Sequence, residues 1–381
     1  MPVLRGGAQM SRYHAECFRL RPSVSFVPMP QEGTYQFFVS DIRQSFNLAF
    51  ADEDYVKILS NLDGSLPYAK LAETYALDDR QLVGLERLFE VLIERCAVED
   101  VRVVASRESD PFRRVKTFIG SYIPYYDVES AWQRIAESHA VVIGAGGVGS
   151  WVVSLLAQMG IKHFTLLDDD VVKPHNLNRS LFTKGDMGTL KTLALDKMLS
   201  ARRKDYYTVR AVDEKLESSE RLISLLKDDL RPQTVLINCA DFPSVAHTSA
   251  IINEAAFALD LPYIIAGGYN MHLSLVGPTI IPGKTPCFHC ISHGMDQLKV
   301  AEIEGAERIV KEHRNLGNLA PLAAISASFV ANECLKLLLG LPNLKPTMIG
   351  KRGEFNFFTK KLVLEEYGVW DECPYCSTRS K

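Results

Sequence analysis

A chain of 381 residues with 47% hydrophobic and 23% charged side chains has the length for two or three globular domains, which excludes a disordered, collagenous or coiled-coil protein. Its net charge of −3 lacks the basic excess on which phosphate-backbone binding relies, so no nucleic-acid partner is expected. No apolar run approaches the roughly 18 residues of a membrane span; the best, 321–342, is broken by Asn332, Glu333 and Lys336, and the start carries no apolar signal region, so a cytoplasmic protein without a membrane partner is expected.

From residue 17 to 50 the text FRLRPSVSFVPM, TYQFFVSDI and QSFNLAF is rich in Phe, Val and Tyr and predicts strands, with a turn at PQEG. DEDYVKILSNL, LPYAKLAETYA and DDRQLVGLERLFEVLIERC then predict three helices. In the third, Leu82, Leu85, Leu88, Phe89 and Leu92 recur at three- and four-residue spacing behind a capping Asp78 or Asp79. Strands followed by three helices define a small α+β domain of winged-helix type over residues 1–105. Such units commonly bind DNA, but residues 51–100 hold twelve Asp or Glu against five Lys or Arg and would repel a phosphate backbone. Peptide docking or a structural role is left. Residues 101–130 read as a connector.

The pattern then changes. HAVVIGAGGVGSWVVSLLAQMGIKHFTLLDDD is apolar strand, glycine loop, helix and second apolar strand, and TVLINCAD and PYIIAGG add strands around the helix text INEAAFALD. This is the grammar of an α/β domain, a Rossmann-like, mostly parallel sheet with helices on both faces, assigned to residues 106–381. Gly144, Gly146, Gly147 and Gly149 lie between strand and helix, where glycines let the backbone close and amide N–H groups at the helix start face phosphate oxygens. Asp168 closes the second strand nineteen residues after Gly149, placed to accept ribose hydroxyls. Alone, these residues fit a dinucleotide site. Asn176 and Arg179 follow eight and eleven residues beyond Asp168, and Lys191 a further twelve. Cations clustered beside a phosphate loop suit a triphosphate that must be cleaved, because charge builds on its oxygens in the transition state. Asp241 ends the text TVLINCAD at the carboxyl edge of the sheet, where a carboxylate can hold Mg²⁺ against phosphates.

Cys287 and Cys290, with Cys373 and Cys376, form two Cys-x-x-Cys knuckles, the ligand set of a closed tetrahedral Zn²⁺ site with no open position for water. In this reading zinc ties the C-terminal tail to the sheet and His289 lies outside the shell. Redox-active cysteines are the alternative.

Taken together the motifs resemble the ThiF/MoeB superfamily, adenylating enzymes related to ubiquitin activation. GAGGVGS, LLDDD, NLNR, Lys191, NCAD, PYIIAGG, the paired knuckles and LAPLAAISASFVANECLKLL stand in that order of chemistry over residues 110–376. The resemblance implies ATP held by the glycine loop with Asp168 and Asp170, phosphates contacted by Asn176, Arg179 and Lys191, and Mg²⁺ near Asp241. It also implies a homodimer. The family places the second Arg of an Arg-Tyr-x-Arg segment in the partner subunit's site, matched here by Arg114 in Pro111-Phe112-Arg113-Arg114, where Pro has replaced the first Arg. Relatives that activate ubiquitin pass the acyl group to a cysteine after the first knuckle, but none lies between Cys290 and Cys334. Cys334 falls in apolar helix text and Cys239 in a strand, so a group on the substrate is expected to attack the activated carboxylate directly. The polar stretch 291–318 reads as a crossover above the active site.

A strand-and-helix domain ahead of such a module resembles the peptide-modifying branch of the superfamily, as do the phrases PYIIAGG and PGKTPCFHC. That likeness implies an ATP- and Mg²⁺-dependent enzyme that docks the leader of a ribosomally made precursor peptide on its N-terminal domain. It would adenylate or phosphorylate carboxylates of the peptide, Glu side chains first, toward dehydration and ring closure in peptide antibiotic biosynthesis. Adenylation of a peptide C-terminus and activation of a sulfur-carrier protein remain open.

Overall fold

The computed structural model describes residues 13–50, 52–270, 272–302 and 317–377, and the chain divides into two compact units, Met1–Trp132 and Gln133–Lys381. Of the expected crossover, 303–316 lie outside the described residues.

In the first unit the strands Val24–Pro28, Thr34–Val39 and Gln44–Ala49 form an antiparallel meander. Aromatics from all three strands meet on its inner face: Phe26 stacks on Phe37 at 5.2 Å and Phe37 on Phe46 at 5.1 Å. The three helices are Glu53–Ser60, Tyr68–Thr74 and Asp79–Glu94. Asp78, not Asp79, is the cap of the last, accepting from the Gln81 N–H at 2.8 Å while the Gln81 side chain returns the bond to the Asp78 N–H. Leu85, Leu88, Phe89 and Leu92 are buried with Phe18, Phe37 and Leu59 in one core.

Two features depart from the sequence reading. Val98–Asp100, between the third helix text and the stretch read as a connector, is a strand paired antiparallel with Phe18–Leu20. The stretch read as a connector contains the helices Val101–Ser106 and Arg113–Ile119 and the start of Val128–Ala136. A buried cation explains its order. Arg21 is 6% exposed and donates to the Gly120 carbonyl and, at 3.1 Å, to the Ser121 hydroxyl. Lys116, also buried, lies between Asp110 at 2.5 Å and Glu129 at 2.8 Å, with its ammonium over the Trp132 ring.

The second unit is built on a six-stranded sheet in the order Thr279–Ile280, Tyr263–Ile265, Thr234–Asn238, His139–Ile143, His163–Leu167, Thr208–Val212. All pairings are parallel except that of the Thr279–Ile280 edge. His139–Ile143 and Thr234–Asn238 are buried at every residue, as expected of parallel strands covered on both faces. From His139–Ile143 the chain winds one way through His163–Leu167 and Thr208–Val212, then returns to the other side with Thr234–Asn238. The reversal leaves a crevice beyond the carboxyl ends of the two central strands.

A second, antiparallel sheet, absent from the sequence expectation, joins Tyr269–Asn270, Leu273–Val276, Lys351–Asn356 and Lys361–Glu366. The helix Ala320–Leu339 has the length and hydropathy of a membrane span, but most of it is buried, packed on the helix Gly147–Met159. Its Glu333 is 2% exposed and fully engaged. It accepts from the Thr279 hydroxyl at 3.0 Å, the Thr347 N–H and hydroxyl at 3.0 and 2.9 Å, the Met348 N–H at 2.9 Å and Lys336 at 2.9 Å. Burial alone would raise its pKa, yet these donors outweigh it and hold the carboxyl below its ordinary value.

Candidate functional site

The glycine loop occupies the crevice. Gly144 sits at φ +91°, and a Cβ there would lie 2.6 Å from the Ala240 nitrogen. A Cβ on Gly149 would stand 1.9 Å from the Gly144 carbonyl oxygen, so these two glycines are required by close approach. Gly146 meets nothing within 4 Å. It is the N-cap of Gly147–Met159 and offers no side-chain cap, so the first N–H groups of that helix are left for an anion.

Asp168 is placed beside the loop, with its carboxylate already engaged. Its Oδ2 accepts from the Ala145 N–H at 2.7 Å and its Oδ1 from the Asp170 N–H at 2.9 Å. Lys191 is buried at the start of the helix Lys191–Arg202 and lies 3.3 Å from Asp168 and 2.8 Å from Asp170. The Lys191 hydrogen bond, with Lys173 in support, holds the Asp170 carboxyl below the usual carboxylate range. Asn176 is buried, with its Oδ1 taken by the Lys173 N–H at 2.8 Å, so that oxygen shapes the turn carrying Arg179.

Arg179 lies over the loop, its Cγ 3.3 Å from where a Gly147 Cβ would be. One end of its guanidinium donates to the His175 carbonyl, while its Nε is buried with no hydrogen-bond partner among the described residues. A charged donor left unsatisfied beside uncapped helix N–H groups is costly unless an anion arrives. Asp241 is exposed on the loop that follows Thr234–Asn238, one residue beyond the Ala240 that abuts Gly144. Burial, followed by the charge of Asp241, pushes the Cys239 thiol up, and burial pushes Cys334 up to about 12, so neither is an available thiolate nucleophile. Arg114 lies in the helix Arg113–Ile119 of the first unit.

Sequence reasoning missed two supports. The Trp151 indole N–H donates to the Arg179 carbonyl at 3.1 Å, and the Ser150 hydroxyl accepts from the Leu181 N–H at 3.3 Å, so the glycine-loop helix carries the arginine turn. The only sequence signal was a lone polar-tipped aromatic one turn into the helix.

The four knuckle cysteines come together. The Sγ atoms of Cys287, Cys290, Cys373 and Cys376 are all buried and within 4.8 Å of one another, a group able to hold a metal ion. Cys287 lies 3.8 Å from Cys290 and 3.4 Å from Cys373. The Trp370 N–H donates to Cys290 at 3.4 Å, and His289 stacks on Tyr375 outside the cluster.

The sequence model of the ThiF family matches residues 124–366. Among curated proteins, the sulfur carrier protein ThiS adenylyltransferase of Bacillus subtilis (strain 168) is 27% identical over 259 residues, 66% of this chain and 68% of that one. Ubiquitin-like modifier-activating enzyme 5 of Aedes aegypti is 26% identical over 284 residues, 72% and 67% of the two chains. Among solved structures, E. coli MccB with ATP superposes with a TM-score of 0.69 at 19% identity, covering 94% of this chain and 99% of that one. PaaA superposes at 0.65 and 21% identity over 92% and 100%. At these identities the two structures establish the shared fold.

Proposed function

This chain belongs to the ThiF family, and on that premise we propose that it is an ATP-dependent adenylating enzyme acting on carboxylates of a ribosomally made precursor peptide. The observation that carries the reading is the buried Arg179 Nε, without a hydrogen-bond partner among the described residues, beside Gly147 and the uncapped start of Gly147–Met159. An anion of the size of a nucleotide phosphate satisfies both at once. Arg179 and Lys191 would bind the phosphates, Lys191 exchanging part of its hold on Asp168 and Asp170. Charge building on the phosphates during carboxylate attack is what these cations stabilise. Mg²⁺, when bound at Asp241, would supply further neutralisation. Arg114 is proposed to act in the site of a partner subunit of a homodimer.

Four thiolates at the observed separations suit Zn²⁺, since bonds of about 2.3 Å in a tetrahedron set sulfurs roughly 3.8 Å apart. We assign zinc a structural role there, in a reducing, cytoplasmic setting.

The fold shared with MccB, solved also in complex with MccA, and with PaaA supports a peptide substrate. Residues 1–105 would be the leader-docking domain, whose meander ends, among the described residues, in the edge strands Val24–Pro28 and Gln44–Ala49, to either of which a strand can add. Glu side chains, activated and attacked by groups of the same peptide, would close rings with net loss of water. The test follows ATP-derived products with synthetic peptides encoded by short reading frames beside this gene. AMP with pyrophosphate supports adenylation, and ADP with phosphate supports acyl-phosphate formation. Adenylation of a small carrier protein ending in Gly-Gly, with every peptide inert, would overturn the peptide reading in favour of the activity named for the Bacillus relative.

A further inference from the structure

The strand Lys361–Glu366 is an edge of the antiparallel sheet, paired only with Lys351–Asn356 among the described residues. All six of its residues are exposed, with Leu362 at 40%, Val363 at 57% and Leu364 at 46%. Such an edge presents a row of outward N–H and C=O groups to any second strand. The charges around the apolar triplet are ordered: Lys360 and Lys361 precede it, Glu365 and Glu366 follow it.

We infer that this edge is a self-association surface, on which a second copy of the chain adds its own Lys361–Glu366 strand antiparallel about a two-fold axis. Symmetry restricts the register. Neighbouring pairs in an antiparallel ladder alternate between hydrogen-bonded and non-hydrogen-bonded types. A two-fold axis placed between Val363 and Leu364 would interchange neighbouring pairs of opposite type, so the central residue has to face its own copy. Centring on Leu362 sets Lys361 against Val363, and centring on Leu364 sets Val363 against Glu365. Centring on Val363 instead sets Leu362 against Leu364 and Lys361 against Glu365, each twice, while Lys360, in the turn at φ +60°, lies outside the ladder. Every apolar residue then meets an apolar one and every cation an anion, the pairings that stabilise a sheet. The glutamates already face Arg352 and Lys351 on their inner side, Lys351 at 3.5 Å from Glu366. Glu365 is thereby flanked by cations on both sides. Leu362 shares its face with Phe355 across the hairpin, which gives the joined sheets a continuous apolar strip.

The surface is independent of the nucleotide reading, and its test needs no substrate. Sedimentation of the full chain should report an assembly with this two-fold contact. Lys361→Glu sets two carboxylates against two, and should raise the dissociation constant by at least about tenfold and halve the mass of the assembly. Glu365→Lys should do the same with cations. Mixing the two variants makes every facing pair complementary and should restore association. As a check that does not depend on charge, Val363→Cys should form a disulfide-linked dimer under mild oxidation, because self-facing Cα atoms in a ladder fall within disulfide reach. Leu364→Cys, which faces Leu362, should not. A wild-type chain without the contact, an assembly indifferent to the lysine reversal, variants that fail to associate on mixing, or equal crosslinking at 363 and 364 would each overturn the inference.

Discussion

His139 opens the central strand at the end of the sheet opposite the glycine loop, and it makes the stability of the second unit depend on pH in a calculable way. It is 2% exposed, with Nε2 2.9 Å from the Thr165 hydroxyl and Nδ1 3.5 Å from that of Thr234. Burial lowers its pKa from 6.5 to about 4, against a smaller opposing pull from Asp229. The native state therefore holds it neutral where the unfolded chain would take a proton. Below about pH 6.5 the unfolded state binds more protons, so stability falls with falling pH until the native imidazole also titrates near pH 4. The full interval corresponds to roughly 3 kcal/mol, and the part between pH 7 and pH 5 to about 2 kcal/mol. Urea unfolding of the wild type and of His139→Gln at both pH values isolates this contribution, since every other titrating group is common to the pair. The wild type should lose about 2 kcal/mol more than the variant on acidification. Parallel losses in the two proteins would refute the neutral buried imidazole.

Arg179→Ala and Asp241→Ala should each lower turnover by roughly 100-fold or more while leaving the melting temperature of this chain near that of the wild type, read by product formation and calorimetry. Elemental analysis should return about one zinc per chain, and Cys373→Ser should lower thermal stability before it lowers turnover; a metal-free protein that melts unchanged would exclude the structural role. Glu333→Gln places an amide donor among five donors and should cost about 3–5 kcal/mol, measured by denaturant titration. A fragment ending at Trp132 should bind a cognate leader peptide at micromolar order, about −8 kcal/mol, by calorimetry, and processing that survives deletion of residues 1–105, which leaves Arg114 in place, at low peptide concentration would exclude docking.

The parallel sheet was legible because strands buried on both faces are written as unbroken apolar runs, and HAVVI and TVLIN leave no other reading. The antiparallel sheet was not, since KRGEFN and KLVLEE alternate no apolar face and charges lie on both sides of each strand. Val98–Asp100 was hidden because three residues between a helix text and a connector are too few to show a period, and only pairing with Phe18–Leu20 makes them a strand. In the candidate site, spacing brought the right residue types together but could not name their partners. Asp168 accepting from the Ala145 N–H, and Asn176 bound to the Lys173 N–H, are consequences of tertiary closure. The paired knuckles were legible because two Cys-x-x-Cys turns carry their geometry locally and need only be brought into contact.

The donors that converge on Glu333 come from three places in the chain: the edge strand at Thr279, the helix itself at Lys336, and the segment Thr347–Met348. Two of the five are backbone N–H groups that no substitution can remove, so replacing the carboxylate alone leaves main-chain donors stranded. A neutral acceptor could be accommodated only if Thr279, Lys336 and Thr347 changed with it. Position 333 is thus expected to drift slowly among descendants of this sequence, and to change in company with 279, 336 and 347 when it changes at all. The helix that packs on the glycine-loop helix inherits that conservatism.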